Sequence, residues 1–436
     1  MTTLRHMFAR WVLACLLVPA TASAAGQAPI DAAGFRDDIA FIRHTIMRVH
    51  PDPGFSVDPA ALDRALDALA ADVPPTMTRD DAWRRLATLN PLLADAHLFV
   101  GHADWRADTM AHLAAGGTLF PYEVDIGVDG TLSIRAALGG GATPLAGTRI
   151  LAIDGVPATA AVADLSALVH GDTPLFRAAL LARRWWLYHW KTCGSPARYR
   201  LRLQDGARQW TMDVAAATAV PALLRDDGDF ARRFRIDIRP GARAVLTVGS
   251  LDGAFRERFL SFTRAAFARM REEGVSALTI DVSENGGGDD ALWLDGLMPY
   301  LAMRPYRTGS TYVKTVLEPD AARGETAGQV VHGEIGTWRQ PDMDNPLRFR
   351  GKVSVAIGPS TYSSAVLFAN VMRDFGFGTL AGIGGAARRT QSGGIRRFVL
   401  PHSGLVLWVP RFVLAPPAGA ARDALLVPAA PAIQQP

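Results

Sequence analysis

The chain has 436 residues, of which 49% are hydrophobic and 20% are charged, and its formal net charge is +4. A chain of this length and composition is expected to hold two or three folded domains and not to be globally disordered. The small positive charge comes with no long basic run, so it gives little support for nucleic acid or an anionic membrane as a partner. We therefore predict a folded protein that does not bind nucleic acid.

Residues 1–24 have the pattern of a secretory signal peptide. Two arginines precede a short apolar run, Trp11–Pro19, and the small residues that end at Ala24 are typical of a cleavage site. The apolar run is too short to span a bilayer, and no later segment is long enough either. We expect an exported protein, periplasmic or secreted, with a lipoprotein acylated on Cys15 as the alternative.

Residues 25–115 are predicted to form a helical N-terminal subdomain. Apolar residues recur at three- to four-residue spacing from Phe35 to Val49, as on one face of a helix. The sequence HPDPG, residues 50–54, ends that pattern. Two further helical patterns follow in ALDRALDALAADV and DDAWRRLATLNPLLADAH.

Residues 116–220 change to alternating apolar and polar positions, which indicates strands. The segments TLFPYEVDIGVDGTLSIRAAL, ILAIDGVPA and RYRLRL all have this character. The basic and aromatic stretch Arg183–Lys191 would suit stacking on nucleic acid, but a packed helix with arginines extending from its edge is the favoured interpretation. We predict a small β-rich module with an adjoining helix.

Strand and helix patterns alternate from residue 240 to residue 415. The amphipathic helix FRERFLSFTRAAFARMREEG follows a first strand, and Gly274 is a fitting C-terminal cap. VSALTIDV is a continuous apolar run, as expected of a strand buried on both faces. The alternation predicts an α/β core with a largely parallel sheet, followed by an Ala/Pro-rich tail at residues 416–436.

Ser363 and Ser364 lie where the predicted strand GKVSVAIG gives way to a helix. The unpaired N–H groups and positive end of a helix favour an exposed nucleophile and a developing oxyanion. Plain helix capping is the alternative, because serine is among the best N-cap residues.

The NGGG sequence after the strand TIDV is the second candidate site. Its glycines allow a tight turn with exposed N–H groups, and it lacks the lysine of a phosphate loop. It is predicted to be either an oxyanion hole or a flexible βα turn.

A serine nucleophile needs a base to take its proton. His97, in LLADAHLFVGH, is a candidate at the end of a predicted helix. A structural histidine, or a metal pair with His102, are the alternatives. No HExxH motif or cysteine–histidine cluster supports a metal, so we predict neither a metal nor a cofactor.

These motifs, in this order, resemble those of the tail-specific or C-terminal-processing peptidases, in particular their tricorn-like branch. RVHPDPGF resembles the family's N-terminal helix end, LLADAHLFV its Asp-x-His segment, and FPYEVDIGV through LAGTRILAIDGVPA a degenerate PDZ module. ALTIDVSENGGGDD resembles its aspartate-to-glycine loop, and GPSTYSSAVLFANVMRDFGFGTLAGIGG its nucleophile segment. The resemblance spans nearly the whole mature chain. It implies an α/β fold with a helical N-terminal subdomain, a PDZ-like module and a protease core of the ClpP/crotonase-like type.

The resemblance also implies roles for single residues. Ser363 would be the nucleophile and His97 its base, and the N–H groups of Ser364 and Gly287 would form the oxyanion hole. The implied activity is hydrolysis of peptide bonds in unfolded or C-terminal segments through an acyl-enzyme, without a cofactor.

Two catalytic residues of the family have no counterpart. No lysine follows Ser363, and the family's lysine position falls near Arg388. No glutamate follows Glu334, although Asp423 lies near the region of the glutamate that orients the histidine in the tricorn-like branch. A weakened or inactive peptide-binding protein is therefore the second hypothesis, and a small-molecule esterase or amidase is the third. The third catalytic residue and the oligomeric state stay open.

Overall fold

The structure, a computed structural model, describes residues 29–428. The predicted signal peptide with Cys15, and residues 429–436 of the predicted tail, lie outside the described residues. The helices are α1 (Ala32–Val49), α2 (Pro59–Ala71), α3 (Arg79–Leu86), α4 (Asn90–Leu93), α5 (Trp105–Ala114), α6 (Ala158–Ser166), α7 (Pro174–Arg183), α8 (Trp185–Cys193), α9 (Ala222–Arg225), α10 (Phe230–Arg233), α11 (Arg256–Glu272), α12 (Asp290–Gly296), α13 (Met298–Leu301) and α14 (Ser364–Asp374).

The strands fall into several sheets. They are β1 (Ile30–Asp31), β2 (Thr76–Met77), β3 (Phe99–Gly101), β4 (Tyr122–Ile126), β5 (Leu132–Ala137), β6 (Arg149–Ile153), β7 (Val156–Pro157), β8 (Arg198–Asp205), β9 (Arg208–Ala215), β10 (Phe234–Arg239), β11 (Arg243–Val248), β12 (Ala277–Asp281), β13 (Thr311–Thr315), β14 (Val330–Glu334), β15 (Lys352–Ile357), β16 (Thr379–Gly382), β17 (Gln391–Gly393), β18 (Arg396–Val399), β19 (Val406–Val409) and β20 (Phe412–Leu414).

The N-terminal part is mainly helical, as its periodicity predicts. The side chain of Asp31 accepts the Gly34 N–H at 2.7 Å and so begins α1, whose apolar face from Phe35 to Val49 is buried. Three short strands, β1, β2 and β3, interrupt the predicted helical stretch. Because β3 pairs with β19 in the sheet β18-β19-β3, the segment just before β3 is held against the C-terminal part of the chain.

Strands β4 to β9 form an antiparallel sheet of order β4-β5-β6-β8-β9, with β7 paired to β6. The helices α7 and α8 pack beside it, and Trp185 and Trp186 at the start of α8 are fully buried. The basic and aromatic stretch is therefore a packed helix. We call residues 122–215 the β4–β9 module.

The central sheet has the order β10-β11-β12-β15-β16. Strands β11, β12, β15 and β16 are parallel, and β10 is an antiparallel edge strand. Strands β12 and β15 lie at its centre, and the apolar run VSALTIDV, which contains β12, is as expected for a strand with both faces covered. The predicted α/β fold with a largely parallel sheet is confirmed.

The register of this sheet brings two loops together. Asp281, at the end of β12, pairs with Ala356 near the end of β15. The carboxyl ends of neighbouring parallel strands share one edge of a sheet, where α/β proteins place their sites. The turn that follows β12 and the turn that leads from β15 into α14 are therefore adjacent.

The C-terminal residues pack on the core. The sheet β14-β13-β20-β17 ends at β17, which carries Gln391 and Ser392. Residues 424–426 of the predicted tail hydrogen-bond to residues 385–389, and Leu426 is buried. In the described part of the chain, no helix has both the length and the apolar character needed to cross a membrane.

Candidate active site

Ser363 is the N-cap residue of α14 and has an unusual backbone conformation. Its φ is 53° and its ψ is −126°, and a positive φ is uncommon for a residue other than glycine. Such a conformation costs of order 1–3 kcal/mol and persists only where its surroundings enforce it. The Ser363 side chain makes no capping bond, and within residues 29–428 its Oγ has no hydrogen-bond partner. The serine thus sits at the capping position without acting as a cap.

Ser364 uses its hydroxyl to anchor the helix. Its Oγ bonds to the Asp290 carboxylate and accepts the indole N–H of Trp293 at 3.1 Å. As the first residue of α14, Ser364 has no intrahelical acceptor for its own N–H. The residue therefore has its backbone N–H, and not its hydroxyl, to offer to a substrate.

Gly287 lies directly against the nucleophile turn. Its φ is 101°, and an added Cβ would lie 2.6 Å from the Ser363 Cβ and 3.0 Å from the Ser364 nitrogen, so only glycine fits. Its N–H donates to Asn285 Oδ1 at 2.8 Å, and the Asn285 carbonyl accepts the Tyr362 N–H at 3.0 Å. The loop is thus in the predicted place, but the Gly287 N–H can hold an oxyanion only after it leaves Asn285.

His97 follows α4 and is held by side-chain hydrogen bonds. The backbone N–H of His97 donates to Asp95 Oδ1 at 2.7 Å, and the ring Nδ1 of His97 lies 3.0 Å from Ser392 Oγ. Ser392 Oγ in turn donates to Asp95 Oδ1 at 2.9 Å. Because the Ser392 proton goes to a carboxylate, Ser392 must accept the proton of His97 Nδ1. This assigns the free lone pair of the imidazole to Nε2, the atom that a general base would use.

The His97 ring is beside the nucleophile turn. It packs against the ring of Tyr362, the residue before Ser363, with 4.8 Å between centroids. Strand β17 contacts both Ser363 and His97. Gln391 Oε1 accepts the backbone N–H of Ser363 at 2.9 Å, and the next residue, Ser392, bonds to His97. Among the described residues no hydrogen bond joins Ser363 Oγ to His97. Such catalytic contacts are often long in the absence of substrate and tighten when it binds.

A second buried carboxylate, Asp172, supports this arrangement. The Tyr362 hydroxyl donates to Asp172 Oδ1 at 2.6 Å and lies 3.3 Å from Asp95 Oδ1. Asp172 Oδ2 accepts the Arg388 N–H at 2.9 Å. The Arg388 guanidinium donates to the Ala94 carbonyl at 2.6 Å and lies 3.6 Å from Asp172. The residue near the family's lysine position is therefore a structural cation that braces the base.

Burial sets the protonation of these groups. Burial lowers the pKa of His97 to about 4, although the charge of Asp172 opposes the shift. Burial also raises the pKa of Asp172 to about 6, and repulsion from Asp95 adds to the effect. Burial likewise raises the pKa of Asp95. At neutral pH His97 is uncharged, which is the state that a general base requires.

The structure thus brings Ser363, Ser364 and Gly287 into contact and places His97 beside them. Asp423 is exposed, and among the described residues no hydrogen bond or ion pair joins it to His97. His102 packs on Trp83, with 5.0 Å between the rings, and does not share a partner with His97. Sequence reasoning missed Ser392 and Asp172. Asp95 was visible only as the first letter of the Asp-x-His segment.

Comparison with known proteins shows what this chain resembles. Residues 254–419 match the model of Peptidase family S41. Mature CPAF has a similar structure, with a TM-score of 0.62, 15% identity, and 91% of this chain and 92% of that chain covered. Mature CPAF complexed with lactacystin gives a TM-score of 0.61, 14% identity, and coverage of 91% and 93%. No curated protein sequence matches the chain.

Residues 254–419 therefore resemble Peptidase family S41, and the chain has a fold similar to that of mature CPAF. The predicted resemblance to the tail-specific peptidases is confirmed. The matched residues 254–419 contain Gly287, Ser363, Ser364 and Ser392, whereas His97 comes from outside them.

Proposed function

We propose that this protein is an exported serine peptidase that cleaves unfolded or C-terminal peptide segments, with Ser363 as its nucleophile. The observation that carries the proposal is that the Ser363 hydroxyl makes no hydrogen bond among the described residues. It lies at the N-terminus of α14, next to Gly287 and close to the ring of His97. Export is supported by the signal-peptide pattern of residues 1–24. The six strands of the β4–β9 module support its assignment as the PDZ-like domain.

The reaction starts with proton transfer from Ser363 Oγ to His97 Nε2 while Oγ attacks the carbonyl carbon of the scissile amide. The Ser364 N–H, together with that of Gly287, stabilises the negative charge on the carbonyl oxygen. His97 then gives its proton to the leaving amine, and the acyl-enzyme forms. Water, deprotonated by His97, attacks the ester, and Ser363 regains its proton as the acid product leaves.

Ser392 and Asp95 take the place of the family's absent glutamate in this scheme. When His97 gains a proton, Ser392 Oγ still accepts the Nδ1–H of His97 and still donates its own proton to the Asp95 carboxylate. The negative charge of Asp95 stabilises the imidazolium through one hydroxyl, as a directly bonded aspartate does in a serine triad. A serine–lysine dyad is not needed.

Labelling of the mature protein, residues 25–436, with a fluorophosphonate probe tests the activated serine. Wild type and the control Ser360→Ala should be labelled, whereas Ser363→Ala and His97→Ala should not. Hydrolysis of an unfolded protein substrate should follow the same pattern. Labelling that survives in Ser363→Ala would refute the nucleophile, and labelling that survives in His97→Ala would move the base elsewhere. Lactacystin, which is bound to CPAF in a solved structure, should compete with the probe.

The second candidate is a peptide-binding protein without activity. Two observations favour it. The Gly287 N–H is already bonded to Asn285 Oδ1, and within residues 29–428 no hydrogen bond joins Ser363 to His97. An inactive binder would hold peptides by strand addition. It predicts equal peptide affinity in wild type and Ser363→Ala with no turnover and no labelling in either.

A further inference from the structure

A cleft of about 250 Å³ lies between the β4–β9 module and the central sheet. Five arginine side chains line it, from β5, the end of α7, α10 and β10. They are Arg135, Arg183, Arg232, Arg233 and Arg235. We call this space the arginine cleft. None of these arginines has a role in the chemistry proposed for Ser363.

The carboxylates in and beside the arginine cleft neutralise three of its arginines. Glu123 is buried, accepts the N–H groups of Gly139 and Ala222, and lies 3.6 Å from Arg135. Asp226 pairs with Arg232 at 3.3 Å, and Asp227 pairs with Arg233 at 3.3 Å. Asp281 Oδ1 accepts the Ser283 N–H at 3.0 Å. The acids therefore compensate Arg135, Arg232 and Arg233, but not all of the cleft.

Arg183 and Arg235 are the least compensated of these arginines. Within residues 29–428 Arg235 has no ion pair, and Arg183 has one, with Glu284 at 3.4 Å, where the Glu284 side chain is 65% exposed. A pair with so exposed a partner is weak. Burial lowers the pKa of Arg183, and the nearby charges of Arg233 and Arg135 lower it further while Glu284 opposes the shift. Arg183 therefore lies near two other cations without a strong ion pair of its own, and an anion in the cleft would stabilise it.

The arginine cleft is close to the nucleophile. Glu284 lines it and precedes Gly287 by three residues, which span at most about 11 Å. Gly287 in turn touches Ser363. An extended peptide advances about 3.3 Å per residue. A substrate bound at Ser363 would thus bring a residue about three or four positions from the scissile bond into the arginine cleft.

We propose that the arginine cleft is a substrate subsite that binds a carboxylate, with Arg183 as its principal contact. Guanidinium groups bind carboxylates through two parallel hydrogen bonds, and Arg183 displaces only its exposed partner Glu284 to do so. The carboxylate is an aspartate or glutamate side chain of the substrate. The position relative to the scissile bond rests on the proposed function, but binding itself does not require catalysis.

Binding of labelled peptides to the mature Ser363→Ala protein tests the subsite without turnover. The probes are variants of one peptide. In each variant a single position, among the four on either side of a central bond, carries glutamate or glutamine. Every variant is made with a free and with an amidated C-terminus. At one position glutamate should bind about tenfold more tightly than glutamine. If amidation alone lowers the affinity and glutamate binds no better than glutamine at any position, the cleft binds the chain end and the proposed side-chain subsite is overturned.

In Arg183→Gln the glutamate and glutamine peptides should bind equally. In the control Arg208→Gln, on the exposed end of β9, glutamate should still bind more tightly than glutamine. Arg235→Gln, an exposed position of the cleft, should reduce the difference and serves if Arg183→Gln does not fold. A preference that survives both cleft variants, or no preference at any position, would overturn the subsite. If wild type does not turn over any of these peptides although the preference is intact, the proposed peptidase is refuted and the subsite stands.

Discussion

The two halves of the candidate site are held in different ways. The nucleophile half, residues 282–289 and 358–364, consists of two loops at the carboxyl ends of adjacent parallel strands, and backbone contacts join them. The base half consists of Asp95, His97, Asp172 and Ser392, which side-chain hydrogen bonds join across up to 297 positions of sequence. The sheet fixes the nucleophile, whereas the base depends on a few hydroxyl and carboxylate groups. Conservative substitutions should therefore affect the two halves unequally.

The largest effect is expected where the halves meet. Ser363→Ala and His97→Gln should each lower kcat by about 10⁴-fold or more, and the double variant should be no worse than either single one, because the two residues act as a unit. Steady-state and single-turnover kinetics on a peptide substrate measure this. His44→Gln, an exposed histidine of α1, is the matched control and should behave as wild type. Additive losses in the double variant would show that His97 does not act on Ser363.

Asp95→Asn should produce the next largest loss and leave the fold intact. Asp95 Oδ1 accepts hydrogen bonds from the His97 backbone N–H and from Ser392 Oγ, and Oδ2 has no partner among the described residues, so an amide can place its oxygen at Oδ1 and its NH₂ at Oδ2. The variant loses the charge that stabilises the imidazolium. We expect kcat to fall by about 10²–10³-fold, less than for a directly bonded aspartate, with KM unchanged.

Asp205→Asn, on the exposed end of β8, is the control for this loss of one carboxylate. If Asp95→Asn raised KM and left kcat unchanged, the proposed role of Asp95 would be contradicted, because this carboxylate does not touch substrate.

The nucleophile half was predictable and the base half was not, for a physical reason. The buried runs of β12 and β15 have a periodicity that predicts parallel strands, and parallel strands place their loops together. Ser392 lies in TQSGG, which has the composition of a turn, and β17 is only three residues long. Asp172 lies next to the N-cap of α7 and has the pattern of a turn residue. No local pattern shows that these two side chains lie near His97.

The tail shows the same limit. Its Ala and Pro content predicts an extended segment, but one apolar residue, Leu426, packs on the core. A single buried residue gives no periodic signal. The helical N-terminal stretch was similarly predicted without β3, whose pairing with β19 places His97 near Ser363.

Ser392→Ala should separate orientation of the base from its charge. The substitution leaves the buried Nδ1–H of His97 without an acceptor, which costs about 1–3 kcal/mol, and kcat should fall by about 5- to 150-fold. Ser354→Ala is a matched control, because it removes a hydroxyl that lies 3.0 Å from Thr279 Oγ1 at a distance from the site. That control should lose stability and keep kcat. Equal kcat losses in both variants would make Ser392 merely structural.

The pH profile tests whether burial sets the base. With its pKa lowered to about 4, His97 stays neutral in mild acid, so activity should be lost only as pH falls through that value. Asp172, with a pKa of about 6, loses its charge on the way and ceases to favour the imidazolium. His170 stays neutral because burial lowers its pKa well below the usual value.

The log of kcat/KM should therefore be level from about pH 8 to about pH 5, where an ordinary histidine of pKa about 6.5 would already have lost most of its activity. In Asp172→Asn the acid limb should stay at the same pH, because Asp172 is already uncharged where His97 titrates. A wild-type midpoint near that of an ordinary histidine would show that His97 is solvated, or is not the base.

The smallest effect concerns the strain stored in the nucleophile half. Ser363 has a φ of 53°, which glycine adopts without the Cβ penalty and alanine does not. Ser363→Gly should relieve about 1–3 kcal/mol of strain and lose about 0.5–1 kcal/mol to the added flexibility of the unfolded chain. Both Ser363→Gly and Ser363→Ala remove the nucleophile, so only their stabilities should differ. We expect Ser363→Gly to unfold about 1–2 °C above Ser363→Ala in calorimetry. If the glycine variant melts lower, the turn is not strained, and the Ser363 conformation is set by the loop around Gly287 without a penalty.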